Sequence, residues 1–380
     1  MVLGVEWFSV HVPPSKRHRQ SWLRFHGPAR QTSTTKQRAD TVSIRALHYY
    51  CATTCLSSIV RSMDHRLWLM LWLATGCCLS TPVHATSLVE AVTFTEIYDP
   101  QRGETEPWCI NDHCFIRGED GTWHLFGITH IKPFNFKSDP GRNLLHATAK
   151  SLRQSPWHKE PFAVTADWQH QHEWLLWAPH VVPYDGQYYM FVCAGNRDGH
   201  DYQIHLLTST NLWQWDRSLA NPLLIDGFDA RDPNVLRVGS EWVMYYTATD
   251  TPEGGHHIVA CVRSRDLQHW DRRQVAFSHD RQGTFAGPAE SPFVVRRGAA
   301  YYLFICDGGT INIYSSRDPL HWMMEDHAGA IQAHASEVVR DVDGKWYISH
   351  AGWEHGGLFL APLLWHDGLD ENDSSLVPGQ

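Results

Sequence analysis

An all-β fold, and within it a five-bladed β-propeller, is predicted by three features of this sequence. A strand signature recurs five times, a tryptophan follows each copy at a matching place, and helical periodicity is scarce.

The signature is a tight turn followed by an aromatic and apolar run. Its copies occupy residues 120–130, 185–195, 239–249, 297–308 and 343–353. An Asp-Gly or similar Gly turn ahead of alternating β-formers marks a hairpin. A second strand-like run follows, closed by Trp157, Trp215, Trp270, Trp322 and Trp365 in turn. A third run precedes each signature: WCINDHCFI, LWAPHVV, ARDPNVL, AESPFVV and HASEVV. Each unit therefore supplies about four strands at a spacing of roughly 45–65 residues, the repeat expected of propeller blades. Because the five tryptophans recur by position, they are expected to pack between blades. An alternating strand–helix barrel is excluded, since its helices have no matching pattern.

The 380 residues carry 32 Lys and Arg against 41 Asp and Glu, a formal net charge of −9. With no basic excess to neutralise phosphates, nucleic acid is excluded as a partner. The charge is unevenly spread: residues 1–62 hold nine Lys or Arg and only two acids, Glu6 and Asp40. From Met63 the sequence reads as a short basic start, an apolar run from Leu67 to Leu79, and a small-x-small site at Val83-His84-Ala85. That is the pattern of a secretory signal peptide. The run is shorter than the about 20 residues a membrane-spanning helix needs. The expected organisation is a non-native or disordered extension at 1–62, a signal peptide at 63–85, a propeller at 86–370 and a disordered tail at 371–380. The expected location is secreted or periplasmic. Ala74-Thr75-Gly76-Cys77 resembles a lipoprotein cleavage box, which makes Cys77 a second candidate anchor point. Beyond Ala85, Cys109 and Cys114 are near enough in sequence to bridge in an exported protein. Cys193, Cys261 and Cys306 lie in apolar runs and read as buried thiols.

The innermost strand of a propeller blade starts near the central channel, so polar residues opening those strands converge from different blades. Here they are Asp112, His180 after Ala178-Pro179, Asp232, Glu290 and His334. Like charges held close separate their proton affinities, leaving one carboxyl protonated while another is ionised. Glycoside cleavage needs such a pair, an acid for the leaving oxygen and a carboxylate for water or the sugar.

These residues resemble the five-bladed propeller glycosidases of family 43 and, less closely, family 32, over roughly residues 108–365. The resemblance rests on Trp177-Ala178-Pro179, Arg231-Asp232-Pro233 and Glu290-Ser291-Pro292, one motif per successive blade, and on Asp266-Leu267-Gln268-His269-Trp270. It implies Asp112 as general base or nucleophile, Asp232 as the acid that orients substrate, and Glu290 as general acid. It further implies a carbohydrate-binding set of Trp108, Trp177, His180, Arg231 and His334. No cofactor is required, but His334 would face a central calcium or water cluster. The implied reaction is hydrolysis of a terminal arabinose- or xylose-type residue. A non-catalytic sugar-binding propeller and a retaining, family 32-like fructosidase are the alternatives. The sequence departs from the pattern where His113 replaces the usual Pro after the first acid, and where His180 stands in place of an acid after Trp-Ala-Pro.

Overall fold

The computed structural model describes residues 87–195, 201–352 and 355–369. The expected extension, signal peptide with Cys77, and tail from 371 lie outside these residues. Two short strands open the described chain, β1 (Val89–Ala91) and β2 (Thr95–Tyr98). Blade 1 follows as β3 (Trp108–Arg117), β4 (Trp123–Ile131), β5 (Asn143–Ala149) and β6 (His158–Thr165). A single helical turn, α1 (Trp168–Gln171), is capped by the Asp167 carboxylate and leads into blade 2.

Blade 2 comprises β7 (Leu175–Tyr184), β8 (Gln187–Gly195) and β9 (Gln203–Ser209), with short edge strands β10 (Asp216–Arg217) and β11 (Leu224–Ile225). Blade 3 is β12 (Arg231–Val238), β13 (Glu241–Thr251), β14 (Gly254–Ser264) and β15 (Gln274–Gly283). Blade 4 is β16 (Glu290–Arg297), β17 (Ala300–Asp307), β18 (Thr310–Ser316) and β19 (His327–Gln332). Blade 5 contains β20 (Val338–Arg340), β21 (Trp346–His350) and β22 (Leu358–Trp365). Its outer edge is completed from the other end of the chain: β1 and β2 both pair antiparallel with β22, Val89 opposite Trp365 and Thr95 opposite Leu360. All five sheets are antiparallel meanders, as the sequence repeat predicts.

Among the described residues the core forms six apolar clusters: one gathers Ile128, Leu175, Trp177 and Tyr202, and the other five lie one at each junction between neighbouring blades. Each of those five holds one of the repeated tryptophans: Trp157 between blades 5 and 1, Trp215 between 1 and 2, Trp270 between 2 and 3, Trp322 between 3 and 4, and Trp365 between 4 and 5. Full burial of an aromatic of this size is worth several kcal/mol, about 3–5 on truncation to Ala. The indole turns also make specific bonds, such as Trp157 Nε1 to Leu152 O and Trp322 Nε1 to Tyr301 O, both 3.2 Å. The cysteine expectation is corrected. No disulfide joins Cys109 to Cys114, and both are buried, as are Cys193, Cys261 and Cys306. Cys109 points to His130, while Cys114 packs in the junction of blades 1 and 2. Among the described residues no helix is long and apolar enough to cross a membrane.

Candidate active site

Four of the five innermost strands begin in the same irregular way. Pairing skips two residues between Ile110 and His113, Trp177 and His180, Arg231 and Asn234, and Glu290 and Phe293. The first skipped residue in blades 2, 3 and 4, and Ala335 in blade 5, takes a left-handed conformation: Ala178 (φ 45°), Asp232 (φ 56°), Ser291 (φ 48°) and Ala335 (φ 48°). Such a bulge bends a strand end and re-aims its side chains, here toward the axis. Pro179, Pro233 and Pro292 fill the second skipped position, where no N–H is needed for the ladder.

The three acids that open the inner strands stand on different rungs of their blades. Glu290 is the last paired residue before the bulge, Asp232 is the first skipped residue, and Asp112 is the second, in the place held elsewhere by proline. Asn111, not Asp112, is the counterpart of Asp232. The three carboxyl groups nevertheless reach one another. Asp112 Oδ1 accepts from the Ser291 hydroxyl at 2.5 Å, and its Oδ2 from Asn111 Nδ2 at 2.9 Å. Asp232 Oδ2 accepts from Arg231 Nη1 (2.6 Å), Thr247 Oγ1 (3.0 Å) and the Ser291 N–H (3.2 Å). Glu290 Oε1 accepts from Arg231 Nη2 at 2.6 Å.

Arg231 is therefore the hub of the site. Its Nε is held by Asp229 Oδ1 at 2.7 Å, and its face lies 4.9 Å from the Phe285 ring. Burial works against its charge, but Asp229, Asp232 and Glu290 outweigh it and keep it cationic. Asp229 is fully buried, and burial pushes its carboxyl up to about 6 against the pull of Arg231. Asp112 is likewise pushed up to about 6, first by burial and then by the charge of Asp232. His334, the Ser291 hydroxyl and Arg231 pull it the other way. The group titrates within the ordinary working range of an acid–base catalyst.

The proposed sugar-contact residues are placed unequally. Arg231 and His334 stand with the acids. Trp177 is 6 % exposed, tied by its Nε1 to Pro140 O at 2.7 Å, and its ring is covered by Tyr202 at 5.6 Å. The face turned toward Arg231 belongs to Phe285, which stacks on Tyr202 at 5.4 Å and is 42 % exposed. Trp108 opens β3 beside Phe162, 5.7 Å away. His180 does not join the acids. It lies deeper in the channel, its Nε2 donating to Val235 O at 3.2 Å and its ring against Phe293. A small cavity of about 20 Å³, bounded by Asp112, Pro179, Asp232, Pro233, Pro292 and Glu337, separates the two levels.

Sequence reasoning missed four participants. Ser291 lies inside the Glu290-Ser291-Pro292 motif and Asp229 two residues before Arg231, but neither was assigned a role in the site. His257 on β14 is buried between Gly283 and Gly287, where an added Cβ would come within 2.6 Å and 2.5 Å of its ring. Glu337 follows His334 in blade 5; burial and the charge of Asp112 raise it well above the usual carboxylate range. The donors near His334 do not make a calcium cage. A calcium ion takes six or more oxygen ligands. Here the His334 ring contacts Cys306 Sγ and Gly308 O, the Asp112 oxygens are engaged by Ser291 and Asn111, and prolines fill three of the neighbouring positions. Among the described residues no three His, Cys, Asp or Glu side chains converge to hold a metal.

Several solved structures share the fold. A thermostable family-43 glycoside hydrolase superposes with a TM-score of 0.55 at 17% identity, covering 69% of this chain and 92% of its own. An endo-arabinase from Bacteroides thetaiotaomicron gives 0.56 at 14%, covering 73% and 100%. A family 117 glycoside hydrolase from Zobellia galactanivorans gives 0.54 at 10%, covering 73% and 90%. At these identities the likeness is one of fold. No curated protein sequence matches the chain. The family described as glycosyl hydrolases family 32 N-terminal domain matches residues 106–296, blades 1 to 3 and the opening strand of blade 4, with all three acids. The chain belongs to that family and is a five-bladed propeller glycoside hydrolase.

Proposed function

We propose that the protein hydrolyses the bond to a terminal furanosyl or pentosyl residue, of the arabinose or xylose type, in an oligo- or polysaccharide. The observation that carries this reading is the linkage of Asp112, Asp232 and Glu290 at one channel mouth through Arg231 and Ser291. Glu290, 18 % exposed, is the carboxyl open to a leaving group and serves as general acid, giving its proton to the glycosidic oxygen as the bond to the anomeric carbon breaks. Asp112, likewise half-buried, supplies the electron pair, either to the anomeric carbon or to a proton of the attacking water. Asp232 and Arg231 grip sugar hydroxyls and fix the ring between the two. Phe285 offers the sugar an apolar face.

A retaining fructosidase is the second reading, favoured by the family 32 match and by Arg231-Asp232-Pro233. Incubation with arabinan, xylo-oligosaccharides, sucrose and inulin, with Glu290→Gln as control, separates the two. Release of arabinose or xylose supports the first reading and release of fructose the second. Binding without cleavage of any of them overturns both in favour of a lectin-like propeller. An enzyme of this kind acting on extracellular glycans fits export from Met63, which N-terminal sequencing of the mature protein tests.

A further inference from the structure

The axial channel has a second mouth, at the far ends of the inner strands, and it is built differently from the first. A cavity of about 220 Å³ opens there, lined by Arg117, Arg237 and Arg340, each near the end of an inner strand. Two of these arginines are held in the same way. Arg237 Nε donates to Gly239 O at 3.2 Å, and its guanidinium lies 5.0 Å from the Trp242 ring. Arg340 Nε donates to Gly344 O at 2.9 Å, with Trp346 5.9 Å away. Each is thereby fixed by the turn that follows its own strand, which lowers the entropy lost on binding. Among the described residues neither Arg117 nor Arg237 forms an ion pair with an acid.

The acids on the wall do not cancel this charge. Asp341 is 2 % exposed and paired with Arg153 at 3.3 Å. Glu337, half-buried on the same wall, is held well above the usual carboxylate range by burial and by the charge of Asp112. A further donor comes from Asn234, only 3 % exposed. Its Oδ1 accepts the Val294 N–H at 3.0 Å, so its amide nitrogen is the end left for the cavity, with no protein acceptor among the described residues. Arginine forks and amide donors around a concave site match the oxygens of an anion.

We propose that this second mouth is a binding site for a small anion, held through sulfate, phosphate or carboxylate oxygens, and separate from the carboxyl-lined mouth. The inference does not depend on the proposed reaction. Thermal unfolding of the full chain, at constant ionic strength set with chloride, tests it with sulfate, phosphate and galacturonate in separate arms. A saturable rise in Tm is expected, roughly 5 °C at a hundredfold excess over Kd. The arm that saturates lowest tells an inorganic oxyanion from an acidic sugar. The rise should vanish in Arg117→Gln/Arg237→Gln, weaken in Arg237→Lys, and persist in Glu290→Gln. Sulfate also stabilises proteins generally by exclusion, without saturating and equally in all variants. No saturable rise with any of the three, or an equal rise in the double variant, overturns the proposal. Should the double variant fail to fold, calorimetric titration of the wild type decides alone, since a featureless isotherm for all three anions is equally fatal.

Discussion

The Ser291 hydroxyl donates to the Asp112 carboxylate at 2.5 Å, so blade 4 holds the acid of blade 1 across the axis. Ser291 directly follows Glu290, and one stretch of backbone therefore places one carboxyl and steadies the other. That bond favours the charged form of Asp112. In the proposed reaction Asp112 must be ionised, so the acid limb of kcat/KM should lie near pH 6. Ser291→Ala should lower kcat about threefold to tenfold and move that limb to higher pH. A pH–rate profile in which the limb stays put would show that Ser291 does not act on Asp112.

Glu290→Gln removes the proposed proton donor while keeping its shape. The loss in kcat should be roughly 10²–10⁴-fold on a natural glycoside. It should be much smaller on an aryl glycoside whose leaving group needs no proton. Equal losses on both substrates would assign Glu290 another role.

The same burial that tunes Asp112 makes it a liability for stability. Its folded pKa of about 6 lies above the ordinary aspartate value of 3.8, so the fold favours the protonated form. Its contribution is fully present at low pH and is lost as pH rises through about 6. Asp112→Asn should therefore raise Tm at pH 8 and change it little at pH 4, at the expense of activity. Thermal scans of the two proteins at both pH values measure this.

Asp367 lies just past β22 and pairs with the fully buried Arg297 of blade 4, at 2.6 Å to Nε and 3.0 Å to Nη2. Burial alone would raise Asp367, but the bond and charge of Arg297 hold it below its usual value. Asp367→Asn leaves a buried guanidinium without its counter-charge and should cost about 3–5 kcal/mol in denaturant unfolding.

Gly287 leaves room for the His257 ring beside Arg231 and Glu290. A methyl group there would stand 2.5 Å from ring atoms, so Gly287→Ala must displace the histidine. A fall in kcat/KM of about tenfold to a hundredfold is expected with circular dichroism unchanged. Unaltered kinetics would remove His257 from the site.

The propeller was legible because its cause is repeated. One tryptophan per inter-blade junction and one aromatic hairpin per blade leave a periodic trace, and Trp157, Trp322 and their counterparts occupy the predicted places. Arg231, Asp232 and Glu290 were legible for a related reason, since Pro233 and Pro292 mark the bulges that aim them. Asp112 was found from the position of its strand, but its exact rung was hidden, because His113 gives no sign of where pairing breaks. His180 was misplaced for a geometric reason. It is the first residue paired again after its bulge, and so lies one level below the acids. Asp229, His257 and Glu337 take their character from burial among residues distant in sequence, which no local pattern records.

The pairing of β1 and β2 with β22 has a consequence for the order in which the molecule can come alive. Thr95 must wait for Leu360, 265 residues further along, before the ring is shut. Until then a nascent chain can already hold blades 1, 3 and 4, and thus every acid, without holding them at fixed separation. The seam thus acts as a timer: activity should appear abruptly, only once the last strand has left the ribosome and found the first.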